Sequence, residues 1–138
     1  MAADAPSHER LAERARSYLA AFAGGDPDAI AAHVTERFVN DHASALGDGC
    51  VGRDEYRRRL PDFLAAMPGL HYEPGEPIVD APRLAMPYTL HADGTTPAGD
   101  RVPVIVRGVM LLRFDGELIA ERLDVWDALT YLRQIGEG

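Results

Sequence analysis

The last third of the chain admits few folds. Phe114-Asp115-Gly116-Glu117-Leu118-Ile119 places an Asp-Gly pair between two apolar runs, the strongest short-range signal for a two-residue β-hairpin. Its first arm, Val102 to Phe114, is apolar on both faces, and its second runs from Glu117 to Asp127. Upstream, Arg83 to Ala92 reads as a strand. So does Leu70 to Ile78, which Pro74 and Pro77 confine to an edge or a bulge. Ala128 to Ile135 adds a last helical turn or two. An antiparallel sheet that is apolar on one face must be covered by other elements to be stable.

The first half of the chain supplies that cover. Ser7 suits an N-cap, and Leu11, Ala15, Tyr18, Leu19 and Phe22 form a stripe of helical spacing that Gly24-Gly25 ends. Asp26-Pro27 restarts the chain as N-cap and first helical residue of a short helix to about Val34. Phe38-Val39-Asn40 reads as a short extended piece and 43–52 as a Gly-rich loop. Arg53-Asp54-Glu55 opens a third helix, with Pro61 inside it predicting a kink or a broken first turn, and Pro68-Gly69 ends it. Helices followed by strands give an α+β domain. The expected architecture is a curved antiparallel sheet wrapped around three N-terminal helices, a cone with an apolar interior. Its 138 residues suit one domain, 1–138, with Met1 to Pro6 as a disordered lead-in.

Composition excludes several function classes. A net charge of −8 argues against a nucleic-acid partner. No apolar run approaches the roughly 20 residues that span a membrane, and the N-terminus has neither the basic nor the apolar region of a signal peptide. A lone Cys50 cannot form an internal disulfide, which fits a reducing cytoplasm. The histidines sit at no metal-ligand spacing, so no metal is expected, and no Gly-rich phosphate loop follows a strand.

One residue stands out on the closing strand. Asp124 and Trp126 share a face by strand parity. A carboxylate facing inward beside an indole is costly unless it is paired, protonated or used. Desolvation suits such a group to shuttling a proton at an activated carbon. The competing reading is an ion pair with Arg122 on the same strand face, or with another arginine. Tyr88 shares a face with Leu84, Met86 and Leu90, and a phenol there could donate to a developing oxyanion or simply satisfy its own hydroxyl. Met110 and Leu112 alternate inward on the long strand, with Val109 and Leu111 outward. That outer apolar face predicts a homodimer formed through the outside of the sheet.

Three segments carry a resemblance. Phe22-Ala23-Gly24-Gly25-Asp26-Pro27-Asp28-Ala29-Ile30 resembles the helix–break–helix opening of the nuclear transport factor 2-like superfamily, and Gly52-Arg53-Asp54-Glu55-Tyr56 resembles the start of its third helix. The hairpin at Phe114 to Ile119, followed by Asp124-Val125-Trp126-Asp127, is similar to its closing hairpin and last strand. The resemblance runs from about Arg10 to Gln134 and is best with the SnoaL-like polyketide cyclase group. It implies a cone-shaped dimer, no cofactor, and an aspartate on the last strand as general acid/base, a position Asp124 occupies. Epoxide hydrolases of the limonene type share that strand but carry an Arg and an Asp on the second strand, where this chain has Tyr88 and Leu90. That departure argues against epoxide hydrolysis.

In a fold of that kind the segment holding Phe38, Asn40 and His42 lines the pocket. His42 is then a second acid/base or a carbonyl-polarising group near neutral pH, with Asn40 orienting. Tyr18, Phe63, Met86, Met110 and Trp126 complete the expected ligand-binding set, and Asp124, His42 and Tyr88 the catalytic one. The expected function is cofactor-independent acid–base catalysis on a small apolar polycyclic or polyketide-like carbonyl compound, of cyclase or isomerase type. The alternative is a non-catalytic ligand-binding or dimeric interaction module, because one fold hosts many functions.

Overall fold

A computed structural model describes residues 5–43 and 46–136. Residues 1–4 of the expected lead-in lie outside the described residues. Helix α1, His8–Gly24, starts where the Ser7 hydroxyl accepts from Arg10 N at 3.1 Å and stops where Gly25 turns left-handed at φ 69°. Its stripe, Leu11, Ala15, Tyr18, Leu19 and Phe22, is buried as the spacing predicts. Helix α2, Pro27–Ala31, is capped by the Asp26 carboxylate. It ends three residues short of the expected Val34, because Val34 already belongs to strand β1, Val34–His42. Cys50–Val51 forms a short strand β2 within the segment expected to be all loop. Helix α3, Arg53–Ala66, passes through Pro61 without interruption.

The remaining strands are β3 (His71–Pro74), β4 (Ile78–Asp80), β5 (Arg83–Thr95), β6 (Arg101–Asp115) and β7 (Leu118–Trp126), and helix α4 (Ala128–Ile135) closes the chain. The sheet order is β2-β1-β7-β6-β5-β3, with β4 also on β5. The sheet is curved, mixed and unclosed. Strands β5, β6 and β7 form the expected antiparallel meander. The expectation of a wholly antiparallel sheet is corrected by β1, which lies parallel to β7 with His42 opposite Asp124. Such pairing needs a long crossover, and the chain from α3 to β6 provides one. Nothing in the alternation of a single strand records its partner's direction.

Helices α1–α3 fill the concave side. Leu84, Met86, Met110, Leu112, Phe114 and Ile119 from the sheet pack there with α1. A second, smaller cluster of Val104, Val106 and Ile135 seats α4 on β6. Gly94 makes that seat possible, since a Cβ there would lie 2.5 Å from Val104 Cγ2 and 3.0 Å from Ile135 Cγ2. Gly94→Ala should therefore push α4 from the sheet and lower stability by about 1–3 kcal/mol, read as a lower urea midpoint at unchanged slope. An unchanged midpoint would show that α4 is not held there.

Candidate functional site

The register of the sheet assembles the site. Met86, Met110, Asp124 and His42 are successive cross-strand partners, and Tyr88, Gly108 and Trp126 form the next row. Strand parity then turns Arg122, Asp124 and Trp126 of β7 to the concave side. Arg122 and Asp124 are 4% and 3% exposed, so two full charges sit inside the protein.

Each charge is met by partners. Arg122 Nη2 donates to Asp124 Oδ2 at 2.6 Å, and its Nη1 donates to the Tyr18 hydroxyl at 2.9 Å. The guanidinium also lies 5.8 Å from the Tyr18 ring centre and 5.9 Å from that of Phe22, within cation–π range. The second carboxylate oxygen, Oδ1, accepts from the Tyr88 hydroxyl at 2.6 Å. Of the two sequence readings of Asp124, the structure therefore has the ion pair with Arg122. The pair nonetheless does not fill the cone.

Gly108 is what lets Tyr88 reach across β6. A Cβ at that position would lie 2.6 Å from Tyr88 Cζ and 2.7 Å from the Val125 carbonyl oxygen. The tyrosine ring occupies the space a side chain would take. Burial, and then the facing Asp124, raise the Tyr88 pKa far above its ordinary value, so the phenol keeps its proton. Burial likewise holds Tyr72 and Tyr56 protonated. The Tyr18 and Tyr56 hydroxyls are 2.5 Å apart and extend the network from Arg122 to α3.

Beside this network lies a cavity of about 380 Å³, within the range of small-molecule sites. Its wall on β1 is Asn40 and His42, and on β7 it is Arg122, Asp124 and Trp126. Tyr72, Tyr88, Phe63 and Tyr131 close other sides. The surroundings are largely apolar and aromatic, so the few polar atoms stand apart. The Trp126 indole N–H donates to His42 Nδ1 at 3.3 Å. Burial, reinforced by Arg122 and opposed by Asp124, lowers the His42 pKa below 6.5, which leaves it neutral at pH 7. Asn40 Oδ1 and Arg122 Nε are buried without a hydrogen-bond partner among the described residues.

Six of the expected site residues, Asp124, His42, Tyr88, Asn40, Phe63 and Trp126, border this cavity. Four others do not. Met86, Met110 and Phe38 are fully buried in the core. They share the faces expected of them but are covered by core packing, Phe38 lying against Tyr56 at 4.8 Å between ring centres. Tyr18 lies behind the cavity, as a support for Arg122. Parity gives a residue's face but not its depth along a tapering interior. Sequence reasoning missed Gly108, Tyr56 and Tyr72. A glycine inside a long apolar strand is a sign of close approach, and Gly108 could have been found by it. Among the described residues no group of three or more His, Cys, Asp or Glu could hold a metal, and no helix is long and apolar enough to cross a membrane.

The family model of the SnoaL-like domain matches residues 15–122. A Catenulispora acidiphila protein of ketosteroid isomerase-like fold, in complex with trimethylamine, superposes with a TM-score of 0.81 at 20% identity, over 91% of this chain and 94% of that one. A Shewanella denitrificans protein assigned as a SnoaL-like polyketide cyclase also gives 0.81, at 17% identity over 93% and 98%. An LEH-like epoxide hydrolase of M. tuberculosis gives 0.78 at 13% identity over 94% and 92%. No curated protein matches the sequence significantly. At these identities the likeness is one of fold.

The pair makes a prediction about stability. Arg122→Met strands a buried carboxylate and should cost about 3–5 kcal/mol, whereas adding Asp124→Leu should recover most of that loss. Urea unfolding of both variants checks it. A single variant as stable as the parent would mean the charges are hydrated.

Proposed function

We propose a function on one premise: the chain belongs to the SnoaL-like domain family. The proposed activity is cofactor-independent acid–base catalysis on a small, largely apolar carbonyl compound, of the cyclase or isomerase type. The observation that carries it is the placing of Asp124 and the protonated Tyr88 on the wall of an apolar cavity large enough for such a ligand. Fold neighbours include a protein assigned as a SnoaL-like polyketide cyclase and an LEH-like epoxide hydrolase, which supports small-molecule chemistry.

In this reading a ketone enters with its α-carbon against the Asp124 carboxylate. The carboxylate takes the α-proton, and a neutral donor on the neighbouring strand bonds the oxygen as negative charge develops there. Return of the proton to another carbon gives isomerisation. Attack of the enolate on a second carbonyl of the same molecule gives ring closure. Arg122 and Tyr88 hold the carboxylate still, which matters because proximity counts only at a fixed geometry. By the resemblance, Tyr88 and Leu90 take the places of the Arg and the Asp that limonene-type hydrolases carry, so epoxide opening is not proposed.

A test needs no knowledge of the natural substrate. The protein should accelerate exchange of the α-protons of 2-tetralone for deuterium, followed by NMR, and Asp124→Asn should cut that acceleration by about 10²–10⁴. Exchange that survives the substitution would remove Asp124 from the mechanism. Tight binding of polycyclic ketones without any exchange would instead favour a binding module.

We also propose a homodimer through the outer sheet face. There Val109 pairs with Val125, and Leu111 with Leu123. Leu111 and Val125 remain 43% and 42% exposed in the single chain, an apolar patch of the kind that marks an interface. Sedimentation should give a dimer that Val125→Lys dissociates. A monomeric parent protein would overturn it.

A further inference from the structure

The contact between Trp126 and His42 decides what the imidazole can do. An indole N–H is a donor only, so His42 Nδ1, 3.3 Å away, must present its lone pair. The single proton of the neutral ring then sits on Nε2. That atom has no hydrogen-bond partner among the described residues, and it is not one of the occluded polar atoms. His42 itself borders the cavity.

Tyr88 does not compete for the same role. Its one proton is already given to Asp124 Oδ1. Among the two helpers that the sequence suggested, only His42 has a donor to offer a ligand.

We infer that Trp126 is a positioning residue: by donating to His42 Nδ1 it fixes the imidazole as a neutral Nε2–H donor, and His42 thereby polarises a ligand carbonyl rather than acting as a base. The inference rests on the acid–base reading of the cavity and names the ligand group that the second wall takes, an acceptor oxygen. The charged and titratable groups acting on His42 are Arg122, Asp124, Asp41 and Asp48. A bond donated to Nδ1 also disfavours protonation there, which keeps the ring neutral in its role.

Nitrogen NMR of the whole protein tests this without any substrate. The expected spectrum near neutral pH has His42 with a protonated Nε2 and an unprotonated, hydrogen-bonded Nδ1. Trp126→Phe should raise the His42 titration midpoint and let the tautomers mix. The same variant should slow 2-tetralone exchange by about three- to tenfold, the worth of one ordinary hydrogen bond. His42→Gln keeps an N–H donor of similar reach that needs no tautomer, so in its background Trp126→Phe should change the rate less than about twofold. A proton found on Nδ1, or a midpoint and tautomer indifferent to Trp126→Phe, would overturn the inference. The expected tautomer and midpoint in a protein that exchanges nothing would uphold the Trp126–His42 assignment and refute the catalytic reading.

Discussion

Two opposite charges buried on one face of β7 set the terms for the rest of the molecule. Removing each ion from water costs several kcal/mol, and mutual attraction repays that only where remaining donors and acceptors are also met. Arg122 meets Asp124, the Tyr18 hydroxyl and two aromatic rings, and leaves only its Nε without a partner among the described residues. Asp124 meets Arg122 and Tyr88. These partners come from α1, β5 and β7, so the pair ties the first helix to the middle of the sheet. Gly108 belongs to the same device, because any side chain there would displace the Tyr88 phenol.

Such a pair is not the cheapest way to build a core, since well-packed apolar residues of like volume do as well or better. Its placement beside a cavity gives it another meaning. The cavity is bordered by a fixed carboxylate and, on the next strand, a neutral imidazole, with aromatic side chains among its other walls. In such surroundings a few fixed dipoles act strongly on a ligand, because water does not screen them.

Much of this was legible in the sequence, for local reasons. The β6–β7 hairpin, the Ser7 and Asp26 caps, the α1 stripe and the inward parity of Asp124 all depend on residues close together in the chain, although the turn falls on Gly116-Glu117, one residue past the expected Asp115-Gly116 pair. What escaped depends on distant ones. The parallel pairing of β1 with β7 leaves no mark on either strand alone. Whether Phe38, Met86 and Met110 border the cavity or lie within the core depends on the distant residues packed against them. Arg122 was visible as a candidate partner for Asp124, but only the fold shows Tyr88 arriving over Gly108 to take the other oxygen. The resemblance to SnoaL-like proteins gave the architecture and pointed to Asp124, and it said nothing of the Trp126–His42 contact.

On the reading proposed above, this cavity binds a carbonyl compound with its oxygen against a hydrogen-bond donor. The most direct measurement is the infrared difference spectrum of 2-tetralone labelled with carbon-13 at the carbonyl, taken free and bound. The bound carbonyl band should lie at lower frequency than in apolar solvent, with the shift lost in a His42→Phe protein. A bound band at the apolar-solvent frequency in the parent protein would contradict it, since the ketone would then lie in the cavity with its oxygen unpolarised.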